Sequence, residues 1–171
     1  MGREKYHEIN ILFNLGDYKM ALKGDRVEHL TDISFFKADA VIERGLIVAH
    51  LTGGSGAAMD DSLAQVDTVS STGDLAAGLI LNDVVNLDLT RQQYNAHKDE
   101  VQLGGKVTLL RRGTVVTDQI SGTPVIGEKV HFDATGKLTT ASSPAGKSMA
   151  VGRWLGVKDK DGYAKVEINI V

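Results

Sequence analysis

Hydrophobic and polar positions alternate most regularly in the last third of the chain. Val107, Leu109 and Val115 are spaced for one strand that turns at Arg111-Arg112-Gly113 and flows into a hairpin partner. Two alternating arms, 151–157 and 164–170, flank Lys158-Asp159-Lys160-Asp161-Gly162. The Asp161-Gly162 step supplies the positive-φ residues that a tight hairpin loop wants. A further short pair, 127–132 and 136–139, closes around Asp133-Ala134-Thr135-Gly136. Upstream, the turn ending at Gly45 leads into a strand over 46–51, and 64–69 alternates until Ser70 to Asp74 breaks it. The continuous apolar run 75–81 reads as a buried strand, which 84–89 extends. Short strands at close spacing, each punctuated by Gly or Asp, predict a mainly β fold: a small antiparallel β-barrel or sandwich.

Two stretches depart from that pattern. Residues 1–35 hold an apolar patch with no settled period, Ile9, Ile11, Leu12, Phe13 and Leu15, followed by polar, turn-like residues. The patch is too apolar for a solvated tail and too irregular for a helix. We therefore expect an extended N-terminal docking arm over 1–35, pinned on its own barrel or on a partner, because loose termini fray. Its five apolar residues are the candidates for that contact, the alternative being that they cover the barrel's open end. The barrel domain is then 36–171. Within it, 86–100 ends in the chain's most polar run and reads as an exposed loop.

Composition sharpens this picture in three places. The chain has no cysteine, which removes disulfides, thiolate catalysis and cysteine-based zinc sites and fits assembly in a reducing cytoplasm. No apolar run approaches the roughly 18 residues of a membrane span. Residues 1–5 lead into no signal-peptide core, and Tyr6 stands where a myristoylation signal has Ser or Thr. Charge is unevenly spread. Residues 45–90 carry six aspartates and no Lys or Arg, whereas 91–171 carry 12 basic and 8 acidic residues. An acidic middle and a basic end either complement each other between neighbouring copies or simply solvate loops.

Candidate chemistry fails at each motif. Gly53-Gly54-Ser55-Gly56 is followed by Ala-Ala-Met-Asp-Asp instead of the Lys-Ser/Thr that closes a phosphate loop. Gly146-Lys147-Ser148 has Ala141 where that motif needs its first glycine. In a calcium-loop register, Asp159-Lys160-Asp161-Gly162 would put Val157 and Ile168 at ligand positions. His7, His29, His50, His97 and His131 are widely scattered, no two of them at helical spacing. We expect no enzyme, no metal and no cofactor. Arg111 and Arg112, placed at a hairpin tip without flanking aromatics, are a poor nucleic-acid footprint. They are better suited to solvating the turn or meeting carboxylates on a neighbouring copy.

The order of these signals resembles the decoration, or cement, proteins of tailed-bacteriophage heads. The matching skeleton runs Ala40-Val41-Ile42-Glu43-Arg44-Gly45-Leu46-Ile47-Val48, then Ala77-Gly78-Leu79-Ile80-Leu81-Asn82-Asp83-Val84 and Gly104-Gly105-Lys106-Val107-Thr108. It closes with Gly127-Glu128-Lys129-Val130, Gly136-Lys137-Leu138, Val151-Gly152-Arg153 and Asp161-Gly162-Tyr163-Ala164-Lys165-Val166. The resemblance spans about 38–171 and rests on order and spacing. It implies a non-enzymatic protein, made in the host cytoplasm, that binds the outer surface of an assembled capsid. There it would bridge adjacent major capsid protein subunits and stabilise the shell against DNA pressure, working as dimers or trimers with no nucleic-acid or membrane partner. The alternative is a carbohydrate- or receptor-binding module on a virion surface. That reading wants exposed aromatics, yet only 5% of the chain is aromatic and Trp154 lies in a strand pattern suited to core burial.

Overall fold

In the computed structural model, residues 21–37, 41–51, 65–83, 100–101, 106–140 and 149–170 are described. They are all strand, turn and loop, without a helix. The strands are β1 (Val27–Asp32), β2 (Phe36–Lys37), β3 (Ile42–Glu43), β4 (Ile47–His50), β5 (Gln65–Thr68) and β6 (Ala76–Asp83). They continue as β7 (Glu100–Val101), β8 (Val107–Thr117), β9 (Lys129–Phe132), β10 (Leu138–Thr139), β11 (Gly152–Trp154) and β12 (Ala164–Asn169). One curled sheet runs β10-β9-β11-β12-β8-β6-β4-β5-β2, with β1 added on β8, and β3 pairs β7 separately. Every pairing is antiparallel except β2 with β5. The result is a half-barrel, the mainly β class that the alternation predicts.

The long strand β8 organises the sheet. Its residues 107–110 pair with β6, and residues 112–117 pair with β12. β1 pairs across 109–114, overlapping both. A strand has two hydrogen-bonding edges, so β6 and β12 share one edge end to end while β1 takes the other. Two strands diverging from one edge curl the sheet, and the buried side chains divide accordingly. Leu79, Leu81, Leu110, Val115, Phe132, Trp154, Val166 and Ile168 belong to the large core. Val48, Val66, Ile80, Val107 and Leu109 form a second cluster.

This geometry corrects one expectation. Arg111-Arg112-Gly113 is the middle of β8, not a hairpin turn. Alternation does break there: Leu109 and Leu110 fall in different clusters as neighbours on a strand should, but Val115, an odd number of positions past Leu110, joins Leu110's cluster. The break is a bulge within one strand, with Arg111 skipped as the pairing steps from Leu30↔Arg112 to Thr31↔Leu110. Gly113 is there to admit β1: a Cβ on it would run into the Val27 carbonyl oxygen.

The other hairpins form as the pattern predicts. β11 and β12 pair with Gly152↔Ile168 and Trp154↔Val166. Their loop is closed by Gly162 at φ 91 and by Asp159, which accepts the Asp161 and Tyr163 amides at 3.0 and 2.8 Å. β9 and β10 close around Asp133, whose Oδ1 accepts from the Thr135 amide and hydroxyl and the Lys137 amide. Strand β6 covers the predicted apolar run, and β4 follows the turn at Gly45. The proposed extension over 84–89 lies outside the described residues. Glu100, expected at the end of the exposed loop, opens β7, while 86–99 lie outside the described residues.

Of the segment 1–35, residues 1–20 lie outside the described residues, whereas 21–36 run antiparallel along the outer edge of β8. The Ala21 carbonyl accepts the Thr117 hydroxyl at 2.8 Å, and the Lys23 amide donates to Val116 at 2.9 Å. β1 follows, and at the far end the Val107 amide donates to the Phe35 carbonyl at 3.0 Å. Ala21 and Leu22 are buried, Leu22 within the large core.

Candidate functional site

A chemical centre would need titratable or nucleophilic groups brought together. Among the described residues, no group of three or more His, Asp or Glu could hold a metal ion. His29, His50 and His131 fall on three separate strands, and His7 and His97 lie outside the described residues. Three surfaces stand out among the described residues.

The first surface is the edge around β1. Its residues are exposed along nearly the whole strand, and Val27 and Leu30 present apolar side chains to solvent, as does Ile33 just beyond it. Arg112, opposite Leu30, is exposed; Arg111 is half-buried, with a buried Nε that has no hydrogen-bond acceptor. Partial burial and then the Arg111 guanidinium push the His50 imidazole below its usual pKa, with Asp32 opposing. The His50 ring lies 5.4 Å from Phe35. Burial raises the Asp32 carboxyl, but hydrogen bonds from the Ser34 hydroxyl and amide, with Arg111 nearby, outweigh it and leave that pKa lowered. Thus the two arginines named from sequence are brought to this edge. Ile9, Ile11, Leu12, Phe13 and Leu15 lie outside the described residues.

The second surface is the root of the N-terminal segment. Lys23 Nζ sits 2.9 Å from Asp159 Oδ2 and 4.1 Å from the centre of the Tyr163 ring. The Lys23 hydrogen bond, with the Tyr163 amide, lowers the Asp159 carboxyl pKa, and the same bond raises that of Lys23. Sequence reasoning named the Asp159 loop only as a turn. Its long-range partner had no local signal, because 136 residues separate the two side chains.

The third surface lies on the outer face of β9, β11 and β12. An open depression of about 300 Å³ is lined by Lys129, Ala150, Gly152, Arg153, Glu167 and Asn169. Arg153 donates to Glu167 at 2.9 Å across the β11–β12 pair. Trp154, on the opposite face, is fully buried, so the one tryptophan is a core side chain and cannot stack on a ligand.

A family model described as XM1 gp53 minor capsid protein matches residues 38–170. The chain belongs to the XM1 gp53 minor capsid protein family. Among curated proteins, none matches it. Family membership gives the chain a structural part in a phage capsid, places it in the virion and associates it with the capsid shell. The match begins at 38, so residues 21–36, which line β8, precede the part that the family model covers.

Proposed function

We propose that the chain is a non-enzymatic cement protein. It binds the outer surface of the assembled head, bridges adjacent major capsid protein subunits and stabilises the shell against the pressure of packaged DNA. The observation that carries this reading is the family match, which covers most of the half-barrel.

The fold supports a bridging mechanism. Ile9, Ile11, Leu12, Phe13 and Leu15 grip the shell, and the chain that follows them enters the sheet at Ala21. From there to Phe36 it is bonded along β8, so a load on the arm passes into the strand that also holds β6 and β12. If arm and barrel touch different subunits, each contact need only be modest, since binding of one raises the effective concentration of the other. Sister copies, as dimers or trimers, meet at Arg111 and Arg112. The protein uses no cofactor and contacts neither nucleic acid nor membrane.

Co-sedimentation with undecorated shells of the phage that encodes the chain tests this proposal. The full chain is expected to saturate the shell, and Ile11→Asp with Phe13→Asp to lose binding while the barrel stays folded. Failure of the native chain to sediment with shells would overturn the cement reading; native-like binding by the double variant would move the grip off the arm.

A further inference from the structure

The described residues with large exposed apolar side chains are not evenly scattered. Val125 and Ile126 stand 48% and 63% exposed, and Leu155 and Val157 stand 39% and 59% exposed. The two loops that carry them are joined: the Gly127 amide donates to the Trp154 carbonyl at 2.9 Å, and the Trp154 amide to Glu128 at 3.0 Å. Along the second loop Arg153, Leu155 and Val157 face solvent while Trp154 faces the core. This apolar surface continues directly into the depression, because Arg153 pairs with Lys129 across β11 and β9. Arg153 is held by Glu167, whereas among the described residues Lys129 has no carboxylate partner. At its other end the surface reaches the root of the arm, since Lys23 binds Asp159, two residues beyond Val157.

We propose that this patch is a second shell contact, made by the barrel itself, with a shell subunit that presents an apolar side chain beside a carboxylate. The inference rests on the cement reading and adds the surface and chemistry of its partner. Apolar anchors next to a cation with no carboxylate of its own suit a partner that supplies both missing halves. A two-fold contact of this patch with a sister copy fits worse, because it would bring Lys129 towards the copy's Lys129 while the one carboxylate beside it, Glu167, is already taken by Arg153. Carbohydrate fits worse too, as no aromatic residue lines the depression.

Shell binding of the full-length chain, native and carrying Ile126→Asp, Lys129→Glu or Leu75→Asp, decides it. Leu75, whose carbonyl accepts the His50 amide beside β4, is 62% exposed and serves as the control. Ile126→Asp and Lys129→Glu should each weaken shell binding by about tenfold or more, the Lys129 change also flattening its salt dependence, with Leu75→Asp native-like. Native binding by both patch variants would overturn the proposal and leave the cement reading intact. No binding by the native chain would bring down both. A lower unfolding midpoint for Ile126→Asp without shells would assign the patch to the chain's own N-terminal segment. Loss of self-association in sedimentation velocity would assign it to a sister copy. Either result overturns the shell contact.

Discussion

β1 and β12 flank the same strand yet contribute to the fold in different ways. Both pair antiparallel with β8 over overlapping residues. β12 alternates buried and half-exposed side chains and places Val166 and Ile168 in the core with no exposure. β1 exposes five of its six residues and supplies no member of either core cluster. One strand is held by side chains, the other by its backbone and its flanks. A protein that must fold alone and then assemble needs both kinds, since a strand already satisfied by the core has nothing left to offer a neighbour.

The strongest way to break the comparison is to empty the β12 side. Ile168→Ala should cost about 2–5 kcal/mol in chemical denaturation, because the fully buried side chain leaves a cavity. Next comes the joint with β1. In Gly113→Ala the new methyl meets the Val27 carbonyl, so about 1–3 kcal/mol is lost. Hydrogen exchange should then speed at β1 amides while β12 amides keep their protection.

These two strands also differ in how legible they are. β12 is readable because one face is buried and its residues alternate, and the Asp161-Gly162 loop announces the hairpin. β1 is not, because a strand exposed on both faces leaves no period to detect, so 27–32 read as irregular arm. Its pairing was set by Gly113, more than 80 positions away. The same residue misled the reading of β8: a glycine after two arginines looks like a turn, and only the approach of Val27 shows why the strand continues. Arg111 and Arg112 were singled out for their charge, and the structure brings both to the β1 edge. The Lys129–Arg153 depression escaped notice because its residues come from three strands, each unremarkable alone.

Smaller effects sharpen the contrast. Asp32 closes β1 and its carboxyl pKa is lowered from 3.8. A depressed folded pKa means its contribution is complete above 3.8 and disappears as pH falls through the folded value. Asp32→Ala should cost under about 1 kcal/mol at pH 7, since the group is only partly buried and solvent screens it, and nothing in strong acid. Denaturant midpoints of both proteins across pH 2–7 check the sign. Leu30→Ala should change stability by less than about 0.5 kcal/mol, an order below Ile168→Ala, because Leu30 is already 52% exposed.

The proposed mechanical reinforcement of the shell would show directly in the disruption temperature of undecorated heads measured with and without saturating full-length protein. The temperature should be higher with protein bound, and should not rise when Ile11 and Phe13 are replaced by aspartate. Heads that bind the protein yet disrupt at the undecorated temperature would contradict it.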